Sequence, residues 1–470
     1  MSLSRSTFAR YLLPVVLLAV FFFSLPLTGC GNQPEPTATP TKTPTAPVTP
    51  TSALIAAAQA LPTFTATPTS LPTHTPLPTE PPTATPVPPA VTATPVLSNT
   101  VTEEEMDDLK MANSNSAEDK DAAGGDTQPL ITAPTKAPTP TPEPPPTGPT
   151  EMNPLTGLQV AASKLNRRPL GIKVPNFPWE ARPQSGLSKA DVVIEHEAEA
   201  NLTRFTAIFY AGDSWEIGPT RSVRLVDGEL MSIFKAALVT SGGHPAVKIR
   251  ATEGKSWASG YKRIICPEEP FLGDGGALYR VAKNRRYELT LYSDTPTLRN
   301  VVAARGVNQR PDFSHFWTFS DAPPDGGNSA TYLRVVYKPQ WSITEYRYDA
   351  GSRTYKRFDV GKATTDATTG QQIAPSNVLV LYANHVNSDI AADTHDPNNI
   401  YYSVIIQIWG EGSGKLLRDG KVYDVKWVRE NPQQPNDRLI LLDGAGNRLP
   451  LRPGSTWIQL VRPNGDVTIQ

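Results

Sequence analysis

More than half of the chain's 49 prolines lie in its first 150 residues, in repeats such as Thr-Ala-Thr-Pro, Thr-Pro-Thr and Pro-Pro-Thr. Proline fixes φ and lacks an amide donor, so a stretch punctuated this way builds neither a helix nor a sheet ladder. Bulky apolar residues are sparse there, and too little surface can be buried to offset the entropy of ordering. Residues 31–150 are therefore expected to be a long disordered Thr/Pro-rich stalk, biased toward polyproline II at about 3.1 Å per residue. Its density of Thr and Pro also fits O-glycosylated stalks. Two interruptions stand out: a short helix-forming run at 53–61, and an acidic run at 101–126 that should stay solvated.

Ahead of the stalk, Arg5 and Arg10 flank the start of an apolar run from Tyr11 to Leu27. That is the layout of an export signal. Leu27-Thr28-Gly29-Cys30 follows where the run ends and matches a lipobox. Residues 1–30 are thus expected to be a lipoprotein signal peptide, with Cys30 the lipidation site. Each buried CH₂ of an acyl chain contributes about 0.8 kcal/mol, so more than one chain anchors firmly. The expected location is the extracytoplasmic face of the cell membrane, with the lipid as the membrane contact.

The remainder, 151–470, suits two domains of ordinary size, 151–310 and 325–470. A net charge of −1 gives no basic field, so nucleic acid is not an expected partner. With Cys30 lipidated, Cys266 is left without a disulfide partner. Its setting, Ile264-Ile265-Cys266-Pro267, reads as the end of a buried strand and an inert thiol.

Asp191 to Tyr210 hold the longest apolar alternation in the chain and read as a hairpin. Val192, Ile194, His196 and Ala198 alternate with Val193, Glu195, Glu197 and Glu199. A two-residue turn at Asn201-Leu202 would set Glu199 across from Arg204 and Glu197 across from Thr206. The acidic face reads either as a solvated ion-pair ladder, worth about 0.2–1 kcal/mol per opposed pair, or as an acidic rim facing a ligand. Gly218-Pro219-Thr220-Arg221-Ser222-x-Arg224 then predicts a turn with proline at the first position of a helix that runs through Leu225, Leu230, Ile233, Phe234 and Ala237. A strand at Leu238–Thr240 ends in Ser241-Gly242-Gly243-His244-Pro245. Free amides at a helix start can take an anion, and Arg221, Arg224 and Lys248 would add charge; tight packing is the competing explanation for the glycines.

Elsewhere in 151–310, strands are expected at Leu170–Val174 and Tyr287–Tyr292, and a helix from Ala246. Ser293-Asp294-Thr295-Pro296 predicts an N-capped helix with Gly306 past its end. Strands and helices are mixed, so this half is expected to be α+β, or α/β, around a mixed sheet. The other half is expected to be mostly β. Leu333–Tyr337 is one strand, Glu345–Asp349 pairs with Thr354–Phe358, and Val378–Tyr382 and Tyr402–Trp409 look central. Asp419-Gly420 joins Lys415–Arg418 to Val422–Val428 in a type I′ hairpin, since both turn positions need φ > 0.

Asn153–Gly157, Arg182–Asp191, Thr203-Arg204-Phe205, Gly218–Arg224 and Gly242-Gly243 together resemble the YerB-like lipoproteins, a bacterial family built from two domains of unknown function. The resemblance continues through Gly412-Ser413-Gly414-Lys415, Arg418–Lys421, Trp427 and Gly454-Ser455-Thr456-Trp457. It implies a lipid-anchored, extracytoplasmic setting and lends no activity. Where His244 stands, the family more often has serine, which weakens a catalytic role for this histidine. Leu225-Val226 stand where an aromatic residue is usual.

No cofactor motif is legible. His196-Glu197 lacks a second histidine at zincin spacing, and Gly410-x-Gly412-Ser413-Gly414-Lys415 misses P-loop spacing. Asp389, Asp393, His395 and Asp396 match no calcium loop, so no metal site is assigned. The leading expectation is a binding or scaffolding lipoprotein of the envelope. Its cleft would be lined by Glu199, Arg204, Arg221, Arg224, Gly242 and Gly243 and would take an anionic envelope polymer, a glycan or a peptide. The alternative is an envelope-modifying hydrolase or transferase, with Glu195 or Glu199 as general acid/base and His244 assisting.

Overall fold

The computed structural model describes residues 148–282, 284–393 and 400–470. The signal and lipobox at 1–30, most of the 31–150 stretch, and His395 and Asp396 lie outside the described residues. Among the described residues, no helix is long and apolar enough to cross a membrane.

The described chain is mostly β. We number the principal strands β1 Leu170–Pro175, β2 Val192–Glu197, β3 Thr203–Phe209, β4 Ala237–Val239, β5 Ile264–Ile265, β6 Tyr332–Lys338, β7 Ser342–Asp349, β8 Thr354–Asp359, β9 Asn377–Tyr382, β10 His385–Asp393, β11 Tyr401–Ile406, β12 Gly410–Arg418, β13 Lys421–Glu430, β14 Arg438–Leu442, β15 Thr456–Val461 and β16 Asp466–Ile469. The α-helices are α1 Asp227–Ile233, α2 Pro245–Thr252 and α3 Thr295–Ala304.

One mixed sheet dominates, in the order β13-β12-β9-β15-β2-β3-β1-β4-β5, with β14 on the outer side of β13. It does not stop at the boundary between the expected domains. β15, near the C-terminus, pairs in parallel with β2, matching Thr456 to Val192 and Gln459 to Glu195. The expectation of an α+β half beside a separate β half is corrected accordingly: both halves share one sheet. The central strands β1, β2, β3 and β15 are buried along their whole length because both faces are covered. One face carries α1 and α2 over Val192, Ile194, Ile208 and Leu238. The other packs Val193, Phe205, Phe209 and Trp457 against a second sheet, β8-β7-β6-β16, through Val335, Tyr346 and Tyr355. Each such large apolar side chain contributes about 1.5–3 kcal/mol when fully buried.

Local chemistry explains several elements as expected. Asp294 caps α3 by accepting from Thr297 N at 2.8 Å. Asp419 (φ 53°) and Gly420 (φ 71°) make the tight turn between β12 and β13. Cys266 is fully buried, and burial pushes its thiol up to about 12.

Other expectations are corrected. Residues 218–224 form no helix, Leu225 and Val226 make a turn, and the helix begins only at Asp227. Their amides are already taken: Thr220 N donates to Leu291 O (2.7 Å), Arg221 N to Lys173 O (3.0 Å) and Val223 N to Gly242 O (2.9 Å). The hairpin turn spans Ala198–Leu202, closed by Ala198 N to Leu202 O at 2.7 Å, with Ala200 and Asn201 at positive φ. The register therefore pairs Glu197 with Thr203 and His196 with Arg204. Glu199 lies in the turn, not across from Arg204. Tyr287–Leu289 form a 3₁₀ turn ahead of a short strand, Leu291–Ser293. Finally, β11 is not central. It pairs only with β10 in a separate ribbon, leaving Tyr402 exposed.

Candidate functional site

Six strands of the main sheet run the same way: β9, β15, β2, β1, β4 and β5. In open sheets with parallel strands, ligands bind beyond the carboxyl ends, where loops diverge. Here that edge gathers Glu199 after β2, Arg204 at the start of antiparallel β3, and Gly242-Gly243 after β4. The extended segment Arg221–Arg224 lies against the glycine turn, with Ser241 N donating to Arg221 O (3.1 Å) and Thr240 Oγ1 to the same oxygen (3.0 Å). Gly242 (φ +117°) and Gly243 (φ +143°) sit where side chains are strained, and a Cβ on Gly243 would come within 3.1 Å of Val223.

Behind this edge lies a fully buried polar group that sequence reasoning missed. Lys173 of β1 donates to His196 Nε2 (2.8 Å), Thr206 Oγ1 (2.7 Å) and Asp227 Oδ1 (2.8 Å). Those three acceptors satisfy the ammonium completely. His196 Nδ1 faces the Glu197 carbonyl at 2.8 Å; a carbonyl only accepts, so Nδ1 carries the proton and Nε2 takes Lys173. Asp227 Oδ2 receives Arg224 N at 2.6 Å, which fixes the start of α1. Burial still brings Lys173 down to about 8, with Asp227 working the other way. Burial, then Lys173, push His196 well below its ordinary range. The available signal was one lysine inside the apolar run Leu170-Gly-Ile-Lys-Val.

Arg204 is treated differently. It is 7% exposed, and its guanidinium donates through Nη1 to its neighbour's carbonyl, Thr203 O (3.0 Å). Its buried Nε has no partner. Among the described residues, no carboxylate forms an ion pair with it. Burial, then Arg224 and Arg221, push its pKa well below that of an ordinary guanidinium, and only Glu199 acts the other way. Glu199 itself is committed elsewhere, accepting from Arg224 Nε at 2.7 Å and from Ser403 Oγ of β11 at 3.0 Å. Burial opposes its charge, but Arg224 prevails and holds it below the usual carboxylate range. Glu199, Arg204, Arg221, Arg224 and the glycine turn are thus brought to one place, cationic around Arg204.

The alternative catalytic set is dispersed. Glu195 is 0% exposed on the opposite face of β2, accepting from Asn176 (3.0 Å), Thr203 (2.9 Å), Thr344 (3.2 Å) and Arg357 Nη2 (2.9 Å). Glu197, on that same face, is held by Arg462 through Nε and Nη2 (2.7 Å to Oε2). The acidic face of the hairpin is therefore neither a solvated ladder nor a ligand rim; it is the seam against the C-terminal half. His244 is exposed and caps α2, its Nδ1 accepting from Ala246 N at 3.3 Å. Asp389 pairs with Arg250.

Comparison with known proteins covers both halves. The model "Protein of unknown function (DUF3048) N-terminal domain" matches residues 155–308, and its C-terminal counterpart matches 333–458. "Putative lipoprotein YerB" of Bacillus subtilis (strain 168) is 31% identical over 313 residues, 66% of this chain and 85% of that protein. The crystal structure of YerB protein from Bacillus subtilis superposes with a TM-score of 0.55 at 27% identity, covering 68% of this chain and 99% of that one. The chain therefore belongs to the DUF3048 family of YerB-like proteins and carries both of its halves.

Proposed function

We propose that this is an envelope binding or scaffolding lipoprotein, anchored in the cell membrane through lipid on Cys30 and acting on the extracytoplasmic face. The stretch 31–150 would hold the two family halves away from the anchor. The lipobox sequence and the relative's description as a lipoprotein support the anchoring. Replacing Cys30 with Ala should abolish incorporation of a fatty-acid probe, and normal labelling would overturn it.

The ligand in this reading is an envelope polymer bearing carboxylate, sulfate or phosphate groups, and its site is the arginine group at the carboxyl edge of the sheet. The observation that carries it is Arg204. Burying a charge is costly unless it is paired, and a guanidinium stays charged, so an uncompensated one is kept where an anion completes it. Two further arginines beside it raise that cost for the empty site and lower it for a filled one. Binding is favoured over hydrolysis because Glu195 is enclosed and Glu199 is already paired, so no two carboxylates face each other across this edge.

Thermal unfolding of the full chain tests this, with sodium phosphate and then a short polyphosphate titrated in. Wild type should rise in Tm with ligand concentration, as binding to the folded state requires. Arg204→Met should lose that rise. An equal rise in the variant, or none in wild type, would overturn the site.

A further inference from the structure

A second recess lies on the other face of the molecule, where the loop after β1 meets the loop after β8. It encloses about 280 Å³ and is lined by Trp179, Arg182 and Gln184 from one family half and by Asp359, Lys362 and Thr364 from the other. It shares no residue with the arginine edge. Trp179 is 38% exposed, and its ring is braced by Trp341 at 5.9 Å, which Phe177 in turn meets edge-on at 6.0 Å. An indole held half-open by other aromatic rings is a rigid apolar platform.

The polar groups around it are fixed and incompletely used. Gln184 is 1% exposed and donates through Nε2 to Pro175 O at 2.9 Å. A carbonyl cannot donate, so the amide cannot be flipped, and Oε1 is the atom left without a partner. A buried acceptor in this state costs free energy that a donor would recover. Arg182 spends Nε (3.2 Å) and Nη2 (2.8 Å) on Asn176 Oδ1, with Nη2 3.5 Å from Asp359, and among the described residues Nη1 meets no acceptor. Burial opposes charge on Asp359, yet Arg357 and Arg182 prevail and keep it below the usual range, an acceptor at ordinary pH.

The loop is preorganised. Arg285 donates to the carbonyls of Ala181 (3.1 Å), Arg182 (3.3 Å) and Pro183 (3.3 Å), and Ala367 N donates to Gln184 O (2.8 Å). A rigid site avoids the ordering cost of binding.

We propose that this recess binds a saccharide, with one pyranose ring against Trp179. The chemistry matches on three counts. A pyranose offers a C–H face to the indole, hydroxyl donors for Gln184 Oε1 and Asp359, and hydroxyl oxygens for Arg182 Nη1 and Lys362. The volume lies just under the usual range for drug-sized pockets, about 300–1,000 Å³, and suits one or two rings. Mixed donors and acceptors beside an aromatic face favour a polyhydroxylated ring over a simple anion, which would be repelled by Asp359.

Isothermal titration of the full chain with chitotetraose, cellotetraose and tetragalacturonate tests it. At least one should give saturable heat with wild type. Trp179→Ala should weaken that ligand tenfold or more with an unchanged thermal midpoint, and Trp179→Phe should retain part of the affinity. No saturable heat with any of the three, or equal affinity in Trp179→Ala, would overturn the proposal.

Discussion

Two buried arginines lie on opposite faces of the main sheet and have opposite settings. Arg357, on the face toward the second sheet, is wholly enclosed and answered by Glu195 at 2.9 Å and by Asp359. Its guanidinium also lies over Phe205 (5.1 Å) and Trp457 (5.0 Å), leaving only Nε without a partner. Burial works against its charge, but Asp359 and Glu195 prevail and raise its pKa above the ordinary value. Arg204, on the opposite face, has no such acids and is pushed the other way. Burial alone therefore does not distinguish a structural charge from a ligand-seeking one. The distinction lies in whether the chain supplies the counter-charge. At Arg357 it does so across the family halves, through residues 162 positions apart in sequence.

The comparison breaks most directly at the seam. Glu195→Ala should cost about 3–5 kcal/mol in denaturant unfolding, because it breaks the buried pair with Arg357, which then keeps only Asp359, and leaves Asn176 and Thr203 without the Glu195 acceptor. A loss below about 1 kcal/mol would show that Arg357 does not need its second carboxylate and would weaken the contrast. Lys173→Met should cost somewhat less, about 2–3 kcal/mol, because Thr206 and the Arg224 amide continue to bond Asp227.

A smaller effect carries a pH signature. His196→Gln should cost about 1–2 kcal/mol at pH 7.5. Burial and Lys173, with Arg224 and Arg204 adding to them, hold folded His196 neutral well below its ordinary range. As pH falls below about 6.5, the unfolded chain takes a proton that the folded chain refuses, so this contribution is lost with acid. The gap between wild type and variant should narrow by roughly 1.4 kcal/mol per pH unit in that window. A constant gap from pH 7.5 to 5 would show that the ring takes up its proton alike in the folded and unfolded chains.

The smallest stability changes belong to the arginine edge. Arg204→Met should be neutral or stabilising by up to about 1 kcal/mol, since it removes an unanswered charge and keeps the apolar stem. Arg221→Ala should cost less than about 1 kcal/mol while abolishing the phosphate-induced rise in Tm. A loss of several kcal/mol in either variant would place that arginine with Arg357 as a structural group.

Elements with local causes were legible from the residues. The Asp294 cap, the Asp419-Gly420 turn and the strands at 170–175, 332–338 and 377–382 follow from side-chain capping, positive φ and alternating or continuous apolar runs. The coincidence of Glu199, Arg221 and Arg224 was legible in part, because one turn and one extended segment carry it. Its geometry was not. The register of β2 with β3 depended on a turn in which Ala200, not glycine, takes positive φ, and nothing in its type announces that. The helix expected from Pro219 failed because its amides found better partners in Lys173, Leu291 and Gly242, which lie far away in sequence.

What the sequence by itself determined is therefore the class of each local piece and the family to which their order belongs. The tertiary structure decided which acids are spent. Glu195 and Glu197 look like a ligand rim on an isolated hairpin. They become seam residues only because β15 inserts beside β2 and brings Arg462 from the far end of the chain, while the second sheet brings Arg357. Charge pairing depends on distance in space, and the residues that settle it here are separated by more than a hundred positions, beyond the reach of any local pattern.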